Sequence, residues 1–491
     1  MKWLACELFE EKIKKYLEYT GGDYEEVCRK SKKLLKTMPI PLSVIVLISL
    51  FISKILILSA VGVGLIVYFY PLLYSWSRKE EYKKSVNQEA PLISIIAYVN
   101  SLVDKNVLHT MEELARIKDL KVPSVEYQMI RKRKEVLNES TYRAIERRAI
   151  LHKGDLLGKV YFKFLIASDL GASIRDRMRE AMNEVLQYYK EEYKNYVDRS
   201  SEFAEIIFAV YLLLPIVLVG FQFTFKVNPV QLLLPLLFTP AFIFLISIIQ
   251  PSGDYSIKLN YKQFLPLIAL VPIILLPISI TVKLSGIITV IALSLFWVYN
   301  QVRVANYLLN QIPDILKEMS DYMKIGYSTV TAFSKLQPRE HGPGSEILNE
   351  IISKTSLDNE IPEVKTPSVF FNNIMNVLRV LSKTGLSSVG LEELSDLVNE
   401  IVNLRSSIIR QLRLFDAMLI LTPIMLWLTF SMLGHIFTNS ENNLESIVIF
   451  TYSLATALIF SKLSRFTSLY LPSVIIPLII STILSVFPHG V

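Results

Sequence analysis

Cysteine is nearly absent from this 491-residue chain, at Cys6 and Cys28 only. Two thiols cannot build a disulfide framework or close a four-ligand zinc site, and both fall in a segment read below as cytosolic, so two free thiols are expected. Histidine is almost as rare. His109, His152, His341, His435 and His489 are scattered, with no HExxH and no Cys or carboxylate at ligand spacing. No GxxxxGK[ST] phosphate loop and no GxSxG are present, which removes the nucleotide hydrolysis and acyl-transfer chemistries that those motifs serve. Carboxylate pairs in the polar segments are more simply helix-surface charges than a general acid and base. The expectation is a non-enzymatic protein with no catalytic residue, metal or cofactor.

What the chain has in quantity is apolar residues: 52% of the sequence, with a mean hydropathy of +0.39. That is a polytopic membrane composition. Runs long enough for about 30 Å of hydrocarbon suggest nine spans, at roughly 37–53, 55–74, 203–225, 228–249, 264–282, 284–300, 414–437, 446–461 and 466–487. An ion-coupled transporter needs ionisable groups near the bilayer midplane. Glu205 and Asp416 lie instead near span ends. Prolines such as Pro235, Pro266, Pro272 and Pro277 are the one transporter-like feature, and a solute transporter with proline-broken helices is the alternative reading.

Charge supplies the orientation. Of 52 Lys and Arg, 9 precede Pro39, 24 lie in 75–202 and 12 in 301–413. The positive-inside tendency makes all three segments cytoplasmic, with Lys54, Lys226 and Lys283 at outer tips and the PHGV tail outside. The fold class is therefore all-α: a multi-pass cell-membrane protein with about nine transmembrane helices and two related cytosolic helical modules. Its segments are 1–38, cytosolic and helical; 39–74, a membrane hairpin; 75–202, the first module; 203–300, four spans; 301–413, the second module; and 414–491, three spans. In 1–38 the charge from Glu7 onward interrupts any signal-peptide core. Gly21 and Gly22 are expected to end one helix and Asp23 to cap the next.

The modules form a weak internal repeat. With Pro91 laid on Pro313, Ile93 falls on Ile315, Val103 on Ile325, Met111 on Phe333 and Leu114 on Leu336. Later, FLIASDLGAS resembles VLRVLSKTGLSS, with Gly171 opposite Gly385. The first copy has Asp104 where the second has the turn residue Gly326. A polar stretch from Gln337 to Ser368 is expected to be a surface connector. In the first module Arg131, Lys132, Arg133 and Lys134, with Arg143, Arg147, Arg148, Arg175, Arg177 and Arg179, form a basic patch. It suits a solvated helix face, an acidic partner surface or anionic headgroups. Nucleic acid is not expected, because 20 acidic residues offset the 24 basic ones and no aromatic platform is interleaved.

The order of hairpin, helical module, spans, second module and closing spans, with Pro91–Leu114 against Pro313–Leu336 and Gly171 against Gly385, resembles a known family. It is that of the inner-membrane platform proteins of type IV filament machines, the type II secretion system F-domain family, in the archaeal form of pilus and archaellum assembly. The resemblance covers most of the chain from Pro39 and leaves residues 1–38 unexplained. It implies a mechanical role: binding a hexameric secretion ATPase on the cytosolic side and passing its motion to pilin- or archaellin-like subunits held in the bilayer. The ten basic residues named above would then be the ATPase contact. A homodimer is among the assemblies the resemblance leaves open.

Overall fold

The computed structural model describes residues 4–37, 68–218, 229–251, 261–337, 341–434 and 442–486, all of them helical or in the turns between helices. Two compact units divide the chain, one of residues 1–187 with 383–390 and one of 188–382 with 391–491.

The first unit begins with α1 (Leu4–Leu8), α2 (Glu10–Thr20) and α3 (Tyr24–Thr37). Gly21 ends α2 at φ 70, its N–H returning to the Leu17 carbonyl, and the Asp23 carboxylate accepts from the Glu25 N–H, as the sequence leads one to expect. The thiol expectation is overturned: Cys6 and Cys28 form a disulfide. The bridge joins α1 to α3, while Ile13, Leu17 and Val27 close a small core against Leu72 and Tyr74. Those two residues open α4 (Tyr70–Ser101), the hub of the unit. Every residue from Ala90 to Ser101 is buried, so this half of the helix is enclosed on all sides rather than along one stripe. Packed around or beyond it are α5 (Val107–Ala115), α6 (Lys121–Val136), α7 (Thr141–Leu151), α8 (Leu156–Leu170) and the start of α9 (Ile174–Phe208).

The second unit holds the apolar helices. Helical stretches Ile174–Leu218, Leu232–Ile249, Ile280–Lys324, Ser388–Met432 and Glu445–Arg465 are long and apolar enough to cross a membrane, and Phe264–Leu275 and Leu471–Leu484 are shorter apolar helices. The five mark a multi-pass membrane protein. Of the nine expected spans, 37–53 and most of 55–74 lie outside the described residues, as do Lys54, Lys226 and the PHGV tail. Elsewhere the boundaries shift. The chain breaks at residues 276–279, between α11 (Leu270–Leu275) and α12 (Ile280–Lys324). Lys283 is thus in the first turn of a helix, its Nζ donating to the Ile274 carbonyl 3.1 Å away. A 3₁₀ segment, Pro229–Phe238, precedes α10 (Thr239–Ile249), and another, Tyr261–Ala269, precedes α11. Both contain a proline, Pro235 or Pro266. After α9 a π-turn at Ala209–Leu213 leads to Pro215, and the helical backbone continues to Leu218.

The connector expected from Gln337 to Ser368 contains a helix. After α13 (Thr329–Ser334) comes α14 (Ser345–Asp358), which buries Leu348, Ile351, Ile352 and Thr355 at i, i+3, i+4, i+7 spacing. Then follow α15 (Val369–Thr384), α16 (Ser388–Gln411), α17 (Leu414–Gly434), α18 (Asn442–Arg465) and α19 (Leu471–Leu484). The last three pack on one another. Hydroxyls join the apolar helices: Tyr196 donates to the Leu463 carbonyl at 2.7 Å and Tyr452 to the Leu232 carbonyl at 2.6 Å. Asp416 is paired with Arg465 at 2.5 Å, near the end of α18.

Candidate functional site

The basic run sits on α6 and α7, whose positions follow from the helical period. Arg131, Lys132 and Lys134 are exposed on the last turns of α6, and Arg143 and Arg147 on α7; Arg175 and Arg179 are exposed at the start of α9. Several are already engaged. Arg131 pairs with Glu135, Arg147 with Glu139, and Arg177 with Glu180. Arg133, with its side chain only 11% exposed, reaches both Glu18 and Glu139. The α6–α7 turn adds two apolar side chains to this surface, Val136 at 68% and Leu137 at 57% exposure.

Arg148 does not belong to that face. One residue further round α7 than Arg147, it is fully buried, and it lies at the centre of a polar cluster. Its Nε donates to Glu126 Oε2 at 2.8 Å and its Nη2 to Glu126 Oε1. The other edge of the guanidinium donates to the last carbonyls of α2, those of Glu18 at 2.9 Å and Tyr19 at 3.0 Å. A cation at a helix C-terminus satisfies acceptors that have no partner within the helix. Arg148 thus anchors the N-terminal segment, for which the family resemblance offers no account.

Glu126 is saturated with donors. Besides Arg148 it accepts from Tyr82 Oη at 2.7 Å and Tyr161 Oη at 3.0 Å, and His152 Nε2 lies 3.0 Å away. The opposite ring nitrogen of His152 is 2.7 Å from Asp155 Oδ2, which also accepts from Tyr19 Oη. Asp155 Oδ1 caps α8 through the N–H groups of Leu157 and Gly158. The turn is tight: a β-carbon on Gly158 would stand 2.0 Å from the His152 carbonyl oxygen. His152 therefore corrects the reading of isolated histidines. Its carboxylate neighbours were invisible because Glu126 lies 26 residues away, although the i, i+3 pair with Asp155 was there to be seen.

The electrostatics follow from the pairing. Burial alone would raise the Glu126 carboxyl, but Arg148 and His152 hold it well below the usual range. For His152 burial works downward and is outweighed by Glu126 and Asp155, which push the imidazole up to about 9. A protonated imidazole between two carboxylates has no lone pair to act as a base near neutral pH, and its ion pairs tie α6 to the turn between α7 and α8. A second cluster lies where α4 turns into α5. Glu113 accepts from Lys105 Nζ at 2.9 Å and Asn100 Nδ2 at 2.7 Å, and the same Lys105 reaches the Thr384 carbonyl. Among the described residues no group of three or more His, Cys, Asp or Glu is placed to hold a metal ion.

The repeat-defining residues all lie at turns or inside the opening helices. Pro91 and Pro313 are interior to α4 and α12. Gly171, Gly326 and Gly385 have φ 61, 98 and 96. After Gly171, the Ser173 hydroxyl accepts from the Asp176 N–H; after Gly385, Ser387 accepts from the Gly390 N–H in the same way. Compared with protein-family models, curated proteins and solved structures, the chain matches none.

Proposed function

We propose that this protein is a membrane platform of a type IV filament machine, in which a separate ATPase docks on the helical modules and its motion is passed to pilin-like subunits beside the apolar helices. What supports the reading is a backbone device that occurs twice in a chain that also has five membrane-length helices. A proline-bearing helix ends, a residue of positive φ turns the chain, and a polar side chain two residues later caps the next helix. It does so at Asp104 and Asn106 and again at Gly326 and Ser328. The docking residues under this reading are the exposed members of the basic run: Arg131, Lys132, Lys134, Arg143, Arg147, Arg175 and Arg179. Arg148 is left out because burial denies it to a partner.

The full chain, purified in detergent, is tested for capture of the secretion-type ATPases of its own cell, with and without nucleotide. Capture that depends on nucleotide and is lost in Arg131→Glu/Lys132→Glu/Lys134→Glu supports the platform reading. Arg133 is left intact, since reversing it would disturb its pairs with Glu18 and Glu139. Absence of capture, together with surface filaments that persist when the gene is deleted, sinks it. One observation favours the transporter alternative: two proline-bearing 3₁₀ segments lead directly into apolar helices, an irregularity of the kind that builds midplane sites in transporters. Solute uptake altered by Pro235→Ala or Pro266→Ala would shift weight to that reading.

A further inference from the structure

A cavity of about 330 Å³ opens in the second unit where the apolar helices give way to charged ones. Its walls come from α12 between Val302 and Asn310, from α16 and the turn after it, and from the residues linking α18 to α19. Four guanidinium-bearing residues line it: Arg405, Arg410, Arg413 and Arg465. Asn310 and Tyr470 also face it, and none of the lining residues is acidic. Arg465 also pairs with Asp416, which is not among the lining residues. Arg405 is only 5% exposed. A cavity of this size lined by four arginines and no acidic residue favours an anion, and low-dielectric walls focus its field.

The position narrows the ligand. Leu414 starts the apolar α17 directly after Arg413, α18 ends at Arg465 and α19 starts at Leu471. The cavity thus lies level with the ends of three apolar helices, where lipid headgroups sit. Tyr470 stacks edge-on with Tyr299, centroids 5.6 Å apart, and Arg465 lies over the Tyr470 ring. Aromatic residues of this kind mark membrane–water boundaries. Guanidinium forks match the oxygen geometry of phosphate better than an ammonium does. We propose that this cavity binds a phosphate group, carried by an anionic phospholipid headgroup or by a soluble phosphate compound.

The full chain in neutral detergent is mixed with phosphatidylglycerol or phosphatidylcholine micelles, or with inorganic pyrophosphate alone, while its thermal midpoint and retained phosphorus are measured. Arg410 and Arg413 are both exposed, so Arg410→Gln/Arg413→Gln removes two charges without disturbing a core. Phosphatidylglycerol is expected to raise the midpoint where phosphatidylcholine does not, and the double variant to bind roughly 30-fold more weakly, at about a factor of five or six per lost arginine. A shift with pyrophosphate and none with phosphatidylglycerol upholds the phosphate site and assigns a soluble ligand. No shift with either overturns the proposal. So does an equal loss in Lys118→Gln/Lys153→Gln, exposed positions in the first unit, which would mean that binding follows bulk charge alone.

Discussion

Asp104 and Gly326 occupy the same backbone state at the same point of two helix–turn–helix segments, 222 positions apart in sequence numbering, with φ 57 and 98. The agreement extends around them. Lys105 N–H reaches back to the Asn100 carbonyl and Tyr327 N–H to that of Tyr322; Asn106 accepts from the His109 N–H and Ser328 from that of Thr331. Every one of these pairs keeps the Pro91-on-Pro313 register. An aspartate tolerates positive φ better than most residues but still pays a steric cost that glycine avoids. Asp104→Gly is therefore expected to stabilise the first unit by about 0.5–1 kcal/mol, and Gly326→Ala to destabilise the second by more than 1 kcal/mol. Thermal midpoints of the two variants in one detergent check this; a loss from Asp104→Gly would show that the carboxylate earns its place some other way.

Arg148→Met is expected to cost about 3–5 kcal/mol, because it strips the main counter-charge from a buried Glu126 and frees the α2 carbonyls at the same time. Arg148→Lys should recover little, since one ammonium cannot span both edges of the contact. Limited proteolysis gives a readout beyond the midpoint: α2 and α3 should become cleavable in both variants. Protection equal to wild type would mean that Arg148 is not what holds them.

Titration of the same cluster has a defined sign. His152 is raised from 6.5 to about 9 on folding, so its contribution is fully present below pH 6.5 and is lost as pH rises through about 9. The loss amounts to ~3 kcal/mol. Glu126, held below its ordinary 4.5, contributes above that value and loses its contribution on acidification. Glu89 runs the other way. It accepts from the N–H groups of Lys121 and Val122 at the start of α6, yet burial raises it to about 7, so ionising it costs stability from pH 4.5 up to 7. Denaturation between pH 6 and 10 should show an alkaline decline that His152→Gln flattens, and Glu89→Gln should stabilise by about 1–2 kcal/mol at pH 8.

Reducing the Cys6–Cys28 bridge, or replacing Cys28 by Ser, frees a loop with a sequence separation of 22. The chain-entropy cost is about 3 kcal/mol. A thermal midpoint unaffected by reductant would show that the cysteines are unpaired in the working protein.

Much of the first unit was legible because particular backbone states demand particular residues. Gly21, Gly171 and Gly385 turn the chain where a side chain would be strained, and Asp23 caps where a short acceptor is needed. Asp104 hid the matching turn because aspartate carries no such mark. Arg148 was concealed for a different reason. In a run with Arg147 it looks like surface charge, and only the 3.6-residue period together with the distant Glu126 turns it inward. The disulfide was missed because reading the N-terminal segment as cytosolic assigned its cysteines a reduced state. In the membrane part, composition located the apolar helices, but their ends depended on prolines: Pro277 lies in the break that precedes α12, five residues after Pro272 in α11, and the sequence placed that break several residues too late.

The clamp on α2 also orders events during synthesis. Glu18 and Tyr19 leave the ribosome early, but the guanidinium their carbonyls wait for is 130 and 129 residues downstream. At about 5–20 residues per second that is a delay of roughly 6 to 26 seconds. Cys6 and Cys28 have no such wait, being near neighbours in the chain. The earliest-made part of the protein thus cannot reach its final place until residue 148 has been made, and a ribosome that stalls before Arg148 leaves it with its helix ends open and nothing to close them.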